Sequence, residues 1–272
     1  MMRALYTAAT GMRAEQTNVD TISNNLANVN TNGFKTQRTE FKSLLYQTIQ
    51  TRTTSGNGEV KPVGAQVGLG TRVAATTSMY TQGSMLESQS PTDFAIEGDG
   101  FFAIRAMDGQ TYYTRNGNFT WAIAADNTVM LTDVEGCPVL DTQGNPISLP
   151  AGVSAQSVQF METGEIYYKD VAGVVVRSPQ QFAIYQFNNP SGLEKLSASR
   201  LQATAASGNP LLEIENGGLK PSKIHSGYLE GSNVNVADEM VNLIVAQRAY
   251  ELNSKAITTS DSMLETANNL KR

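Results

Sequence analysis

Apolar residues recur at two different periods along the chain. From the start, Leu5, Ala8, Met12, Val19, Ile22, Leu26 and Val29 fall three and four residues apart, the spacing of one helical face, with Glu15 interrupting the stripe. The spacing predicts a helix of about 26 residues, roughly 39 Å long. It should stop near Asn30-Thr31-Asn32-Gly33, where Asn and Gly supply the left-handed conformation that closes a helix. At the other end Asn235 offers an N-cap, with Asp238 and Glu239 at the positive end of the helix dipole. A seam of Leu243, Ala246, Tyr250, Asn253, Ile257, Ser260, Leu264 and Ala267 follows, widened by Ala249, Ala256, Met263 and Leu270. No Gly or Pro falls between Asn235 and Arg272, which predicts a helix of about 35 residues and roughly 50 Å.

Between these ends the period falls to two. Phe94-Ala95-Ile96 and Phe101 to Arg105 read as strands, and Asp108-Gly109 turns the chain into Thr111 to Arg115, a hairpin signature. Further turn signals at Asn116-Gly117, Glu135-Gly136, Gln143-Gly144, Thr163-Gly164, Ala172-Gly173 and Asn216-Gly217-Gly218 separate short apolar runs. Residues 48–82 fit neither period. They read as an extended arm with strand character, in which Val60, Val63, Val67, Leu69 and Val73 need a partner surface. The expected fold is α+β: long N- and C-terminal helices packing as a coiled-coil-like pair, an extended arm and a central all-β domain. Four segments result: 1–47 (N-terminal helix and its exit), 48–82 (arm), 83–226 (all-β domain) and 227–272 (C-terminal helix).

A helix with one apolar stripe is stabilised mainly by packing that stripe. Both terminal helices must therefore find each other or find neighbours, unless they simply lie across one sheet of an ordinary α+β domain. Their seams mix Leu, Ile, Val and Met with Ala, Ser, Asn and Thr. A single pair would be weakly held, whereas small residues let many helices approach closely.

Composition narrows the function. Charged residues are only 17% of the 272, while Thr, Asn, Ser and Gln together make 85. The net charge of -5 and the absence of a basic stripe argue against nucleic-acid binding. One cysteine, Cys137, excludes an internal disulfide and any multi-cysteine metal site, and one histidine, His225, removes most hydrolase arrangements. No apolar run is long enough for a membrane helix. The start lacks the apolar core of a secretory signal, so the protein stays inside the cell or leaves by a route that reads no cleaved signal. Gly98-Asp99-Gly100-Phe101-Phe102-Ala103 has the form of a dinucleotide loop but leads into a strand, not a helix, and reads as a tight turn. Glu97 and Asp99 flank that turn as solvated carboxylates. Glu213 and Glu215 read as the polar face of a strand, and His225 as part of a connector. Cys137 reads as a small buried hydrophobe. No catalytic, cofactor or metal site is expected.

Three blocks carry a resemblance. Ser23-Asn24-Asn25-Leu26-Ala27-Asn28-Val29-Asn30-Thr31-Asn32-Gly33-Phe34-Lys35 resembles the N-terminal signature of bacterial flagellar rod and hook proteins. Gly227-Tyr228-Leu229-Glu230-Gly231-Ser232-Asn233-Val234-Asn235, Glu239-Met240-Val241 and Gln247-Arg248-Ala249-Tyr250-Glu251 are similar to the closing motif of that family. Asp93 to Phe102 resembles the start of its central β domain. The arm 48–82 points to the distal-rod members, with proximal rod or hook subunits as the alternative; a secreted β-domain enzyme or binding protein is the rival from another class.

The resemblance implies a structural subunit that polymerises helically into a hollow shaft of the basal body, carrying torque to the hook and serving as an export channel. It implies as partners further copies of the chain, proximal rod proteins, the hook protein, the surrounding ring proteins and the flagellar type III export apparatus. It implies location in the periplasm-spanning rod, without a cleaved signal peptide, a cofactor or a membrane span. The residues expected to pack helices in assembly are Leu5, Met12, Val19, Ile22, Asn24, Asn25, Leu26, Asn28 and Val29, with Met240, Leu243, Gln247, Arg248, Tyr250, Ile257 and Leu264. The amides offer donors and acceptors without placing charge in a tube wall. Phe41 and Leu45, in an apolar cluster, are expected to help export recognition or to pack the helix-to-arm junction.

Overall fold

The computed structural model describes residues 2–50, 64–124, 128–150, 153–170, 173–197, 199–215 and 217–270. The chain forms two compact units and passes between them four times: one holds residues 1–27, 37–78 and 235–272, the other 28–36 and 79–234.

The first unit is built on the two predicted helices, α1 (Met2–Ala27) and α2 (Val236–Asn269). Asn235 caps α2, its side chain accepting from the N–H of Ala237 at 3.1 Å and donating to Asp238 at 2.8 Å. The helices run antiparallel: Asn25 meets Glu239 towards one end, and Gly11 meets Asn253 further along. A Cβ on Gly11 would lie 2.9 Å from the Asn253 amide nitrogen, so glycine permits the close approach.

Against α1 also lies a long two-stranded arm. Its base pairs β1 (Gln37–Ser43) with β4 (Thr71–Ser78), and its outer part pairs β2 (Tyr46–Gln50) with β3 (Ala65–Gly68), all antiparallel. A bulge between Glu40 and Phe41 shifts the ladder. The arm thus draws in residues 37–47, which the helical period alone left as the exit of the first helix. Val60 and Val63 lie outside the described residues; Val67 is in the outer ladder and Val73 in the basal one, and Leu69 lies between them, its N–H donating to the Leu45 carbonyl at 3.3 Å. Among the described residues the buried apolar side chains of this unit are few, namely Ala8, Ala14, Ile22 and Ala246, and they are joined by Thr21, Asn25, Thr39 and Glu239.

The second unit is the β-rich region. Its strands begin with β5 (Met85–Glu87), β6 (Phe94–Glu97), β7 (Phe101–Arg105) and β8 (Thr111–Thr114). β7 and β8 form the predicted hairpin, Phe102 opposite Thr114 and Arg105 opposite Thr111. They sit at the centre of a six-stranded sheet, in the order 194–195, 200–202, β8, β7, 184–186, 211–212. Two three-stranded sheets, 119–123 with 129–133 and 148–149, and 158–160 with 165–169 and 175–181, complete most of the unit. Phe94, Ile96, Phe102, Ile104, Phe119, Leu131, Ile147, Ile166, Phe182 and Ile224 form one fully enclosed cluster, with Phe94 edge-on to Phe160 at 4.6 Å.

Two local readings are corrected. His225 belongs to a strand, 223–226, paired with β6, because Ile224 is needed in the core between polar neighbours. Glu213 and Glu215 do not alternate along a strand: the strand ends at Leu212, and Glu213 turns inward to accept from Ser222 and Gln186.

Candidate assembly surface

Asn25 shows how the N-terminal motif is used within the chain. It is 1% exposed. Its side-chain NH2 donates to the Gln37 carbonyl at 2.8 Å and to Glu239 at 3.3 Å, while its oxygen accepts from the Gln37 N–H at 2.9 Å. One amide therefore ties α1 to β1 and to α2, a role that needs both a donor and an acceptor. Thr21 and Thr39 add a buried hydroxyl pair at 2.9 Å between α1 and β1. Asn28 lies beyond the end of α1, its side-chain oxygen accepting from Thr31 in the closing turn. Asn24 is exposed.

The remaining predicted residues divide by exposure. Ile22 is buried; Leu5, Met12, Val19 and Leu26 on α1, and Val29 just after it, are half-buried. On α2, Leu243, Ile257 and Leu264 are half-buried, whereas Met240, Gln247, Arg248 and Tyr250 are exposed. Arg248 pairs with Glu251 on its own helix at 3.0 Å. Gln16, Val19, Gln247, Tyr250 and Glu251 together line a groove of about 400 Å³ along the helix pair. Phe41 and Leu45 project from the arm, 44% and 83% exposed.

α1 is packed on two sides, by α2 and by β1 with β4. α2 is not: Val236, Met240, Val241, Ile244, Val245, Leu252, Met263 and Leu270 are all exposed. Isolated apolar residues on a surface are unremarkable, but a run of this kind along one helix marks an interaction surface.

In the β unit, sequence reasoning missed a buried ionic cluster. Glu230 is fully enclosed, receiving Lys35 Nζ at 2.7 Å on one oxygen and Arg115 at 3.2 Å on the other. The Gly83 N–H donates to the same carboxylate at 2.9 Å, and the Gly33 N–H to the Glu230 backbone carbonyl at 2.7 Å. Gly33 has φ +70° and a Cβ there would lie 2.8 Å from the backbone of Arg115, so only glycine suits this turn. Burial pushes the Lys35 ammonium below its usual pKa, and Glu230 opposes that shift. Three residues on, Asn233 accepts from the N–H and hydroxyl of Thr36, both at 2.7 Å, and donates to the carbonyls of Met79 and Thr81. The available signal was one charge of each sign inside the two motifs, Lys35 after Gly33-Phe34 and Glu230 before Gly231-Ser232.

Elsewhere, His225 Nε2 lies 2.9 Å from Glu97, and this hydrogen bond holds the Glu97 carboxyl below its usual range. Cys137 is buried beside Arg200. Among the described residues no group of three His, Cys, Asp or Glu stands together to hold a metal, and no helix is long and apolar enough to cross a membrane.

Two terminal helices with uncovered apolar surface, in a chain that also encloses a β core, define a subunit class more than a ligand-binding one. Three family descriptions match in chain order: "Flagella basal body rod protein" at 5–35, "Flagellar hook protein FlgE/F/G D1 domain" at 95–168 and "Flagellar basal body rod FlgEFG protein C-terminal" at 225–270. Similar proteins include the flagellar basal-body rod protein FlgG of Borreliella burgdorferi, 45% identical with 100% of both chains covered. FlgG of Agrobacterium fabrum is 41% identical over 96% of this chain and 97% of its own, and FlgG of Bacillus subtilis 37% identical over 100% of both. The chain belongs to the flagellar basal-body rod family, whose members are structural subunits and not enzymes. Within that family it is of the distal-rod type, as the full-length alignment with FlgG proteins indicates.

Proposed function

We propose that copies of this chain assemble helically into a hollow distal rod. In this reading α1 and α2 pair in coiled-coil fashion to form the inner wall, through Leu5, Met12, Val19, Ile22, Leu26, Leu243, Ile257 and Leu264, and the β unit faces outward. Residues 1–27 and 235–272 supply the tube, 37–78 the arm, and 28–36 with 79–234 the outer domain. The shaft carries motor torque to the hook and passes later components through its channel. Its neighbours are proximal rod proteins, the hook protein and the ring proteins around it, in the periplasm-spanning part of the basal body. The type III export apparatus delivers the chain unfolded and without a cleaved signal. The exposure of Phe41 and Leu45 supports their recognition by the export gate over packing at the junction.

The observation that carries this reading is the apolar surface left uncovered along α2, in a chain whose other unit encloses its own core of large side chains. Concentrating the purified protein should yield rods or short filaments by electron microscopy, and deletion of residues 1–30 or 236–272 should abolish them. A chain that stays monodisperse at every concentration would sink the assembly reading. For export, Phe41→Ala should lower secretion of the monomer; unchanged secretion removes that role.

A further inference from the structure

The β unit carries a cavity of about 380 Å³ between the turn at 162–163, residues 181–184 and the segment 213–223. Its buried wall is Phe182 and Ile184, side chains of the enclosed cluster, and Ile214 and Pro221 extend the apolar surface outward. Such a volume stands at the lower end of small-molecule sites, roughly 300–1,000 Å³, and suits a small ligand more than a length of folded chain.

One half-buried carboxylate, Glu213, lines this cavity. Its Oε1 accepts from the Ser222 hydroxyl at 2.7 Å and from the Gln186 amide at 2.8 Å, and its Oε2 from the Ser222 N–H at 2.8 Å. Glycine at position 100 makes room for it: a Cβ there would lie 2.7 Å from Oε1, and the Gly100 N–H donates to the Ser222 hydroxyl at 3.2 Å. All three donors to Glu213 are neutral. They fix the carboxylate in place, using three of its about four acceptor positions, and leave its charge uncompensated. Among the described residues no lysine or arginine forms an ion pair with it. A second lining carboxylate, Glu162, is paired with Lys223 at 3.3 Å, both side chains being 62% exposed. Exposed pairs of this kind contribute little and exchange readily.

Charge and shape together define the ligand. Two carboxylates against one lysine give the lining a net negative charge, and a fixed carboxylate without a counter-ion beside low-dielectric walls attracts a cation. A metal ion would find no group of three ligating side chains among the described residues, and would leave the apolar walls unused. A cation that carries its own alkyl chain uses both. We propose that the cavity binds a linear aliphatic diamine: one ammonium completes Glu213, the chain lies along Phe182, Ile184 and Ile214, and the second ammonium takes the place of Lys223 at Glu162. This site lies within the β unit and does not depend on the assembly reading.

The test uses the full chain. Titration with cadaverine, followed by methyl NMR, should shift the Ile184 and Ile214 signals saturably, and sodium chloride at the same ionic strength should not. Glu213→Gln should weaken the binding about tenfold or more. Lys223→Ala frees Glu162 and should tighten cadaverine several-fold, while pentylamine, with a single ammonium, binds as before. Because Lys223 is in an exposed pair, this variant decides the matter if Glu213→Gln lowers the melting point of the β unit. The absence of a saturable shift, an equal response to sodium chloride, undiminished affinity in a folded Glu213→Gln chain, or no tightening in Lys223→Ala each overturns the proposal. Tighter binding of N-acetyl-lysine methylamide than of cadaverine also overturns it, because the site would then belong to a lysine side chain of another protein.

Discussion

The β unit and the helical unit solve the same problem with different completeness. In the first, large side chains such as Phe94, Phe102, Phe119 and Phe182 are enclosed entirely. In the second, what is enclosed is mostly alanine, threonine and one asparagine, and most large apolar residues of α2 stand in solvent, Leu243, Ile257 and Leu264 being half-buried. Hydrophobic stabilisation scales with apolar area removed from water. The β unit encloses a core of large side chains, although Met107, Ile123 and Val134 among others stay exposed, while the helical unit encloses little and leaves a run of apolar residues uncovered along α2. The difference puts a large enclosed core in one unit and an uncovered apolar helix face in the other.

Five changes would break or sharpen that contrast. Phe102→Ala should cost the β unit about 3–5 kcal/mol, from lost burial and the cavity left behind. Leu243→Ala, at a half-buried helix position, should cost the unassembled chain about 1 kcal/mol. Denaturant titration of both variants, followed separately by helical and aromatic signals, checks the ratio; equal losses would remove the distinction between the units.

Next in size is Glu230→Ala, which strands Lys35 and Arg115 without their carboxylate. The expected loss is about 3 kcal/mol, read from the unfolding midpoint of the β unit. Asn25→Ala should follow, at about 2 kcal/mol, because the Gln37 backbone groups lose their partner. Hydrogen exchange should show faster opening of α1 and β1 with the β unit untouched.

The smallest effect is a pH slope. Burial lowers the Lys35 pKa below 10.5 in the folded chain, so between that lowered value and 10.5 the unfolded chain binds the more protons. Stability of the β unit should therefore rise with pH across that window, and its cost should be fully present below it. Lys35→Met should flatten the slope in melting curves taken from neutral pH upward.

What the sequence made legible was local. Both helices, the Asn235 cap and the hairpin around Asp108-Gly109 depend on neighbours within a few residues, and their periods survive in the pattern. The arm was only half visible: Gln37 to Ser43 is polar with no strict alternation, and its partner strand lies beyond residue 70. Lys35 and Glu230 are 195 residues apart, so nothing short-range marks them as a pair. The uncovered face of α2 was hidden for another reason. Ala249, Ala256, Met263 and Leu270 look like the margin of one broad stripe until the position of α1 shows which side of the helix is covered.

The cluster around Glu230 and Asn233 has a mechanical meaning as well as a thermodynamic one. It gathers three lengths of chain, at 33–36, 79–83 and 230–233, close to where each leaves the β unit. A single covalent tether swivels freely about its backbone bonds. Three strands fastened to one another at their exits share a pull, so that their bonds are loaded together and must yield together. The three exits are thereby held together within the β unit itself.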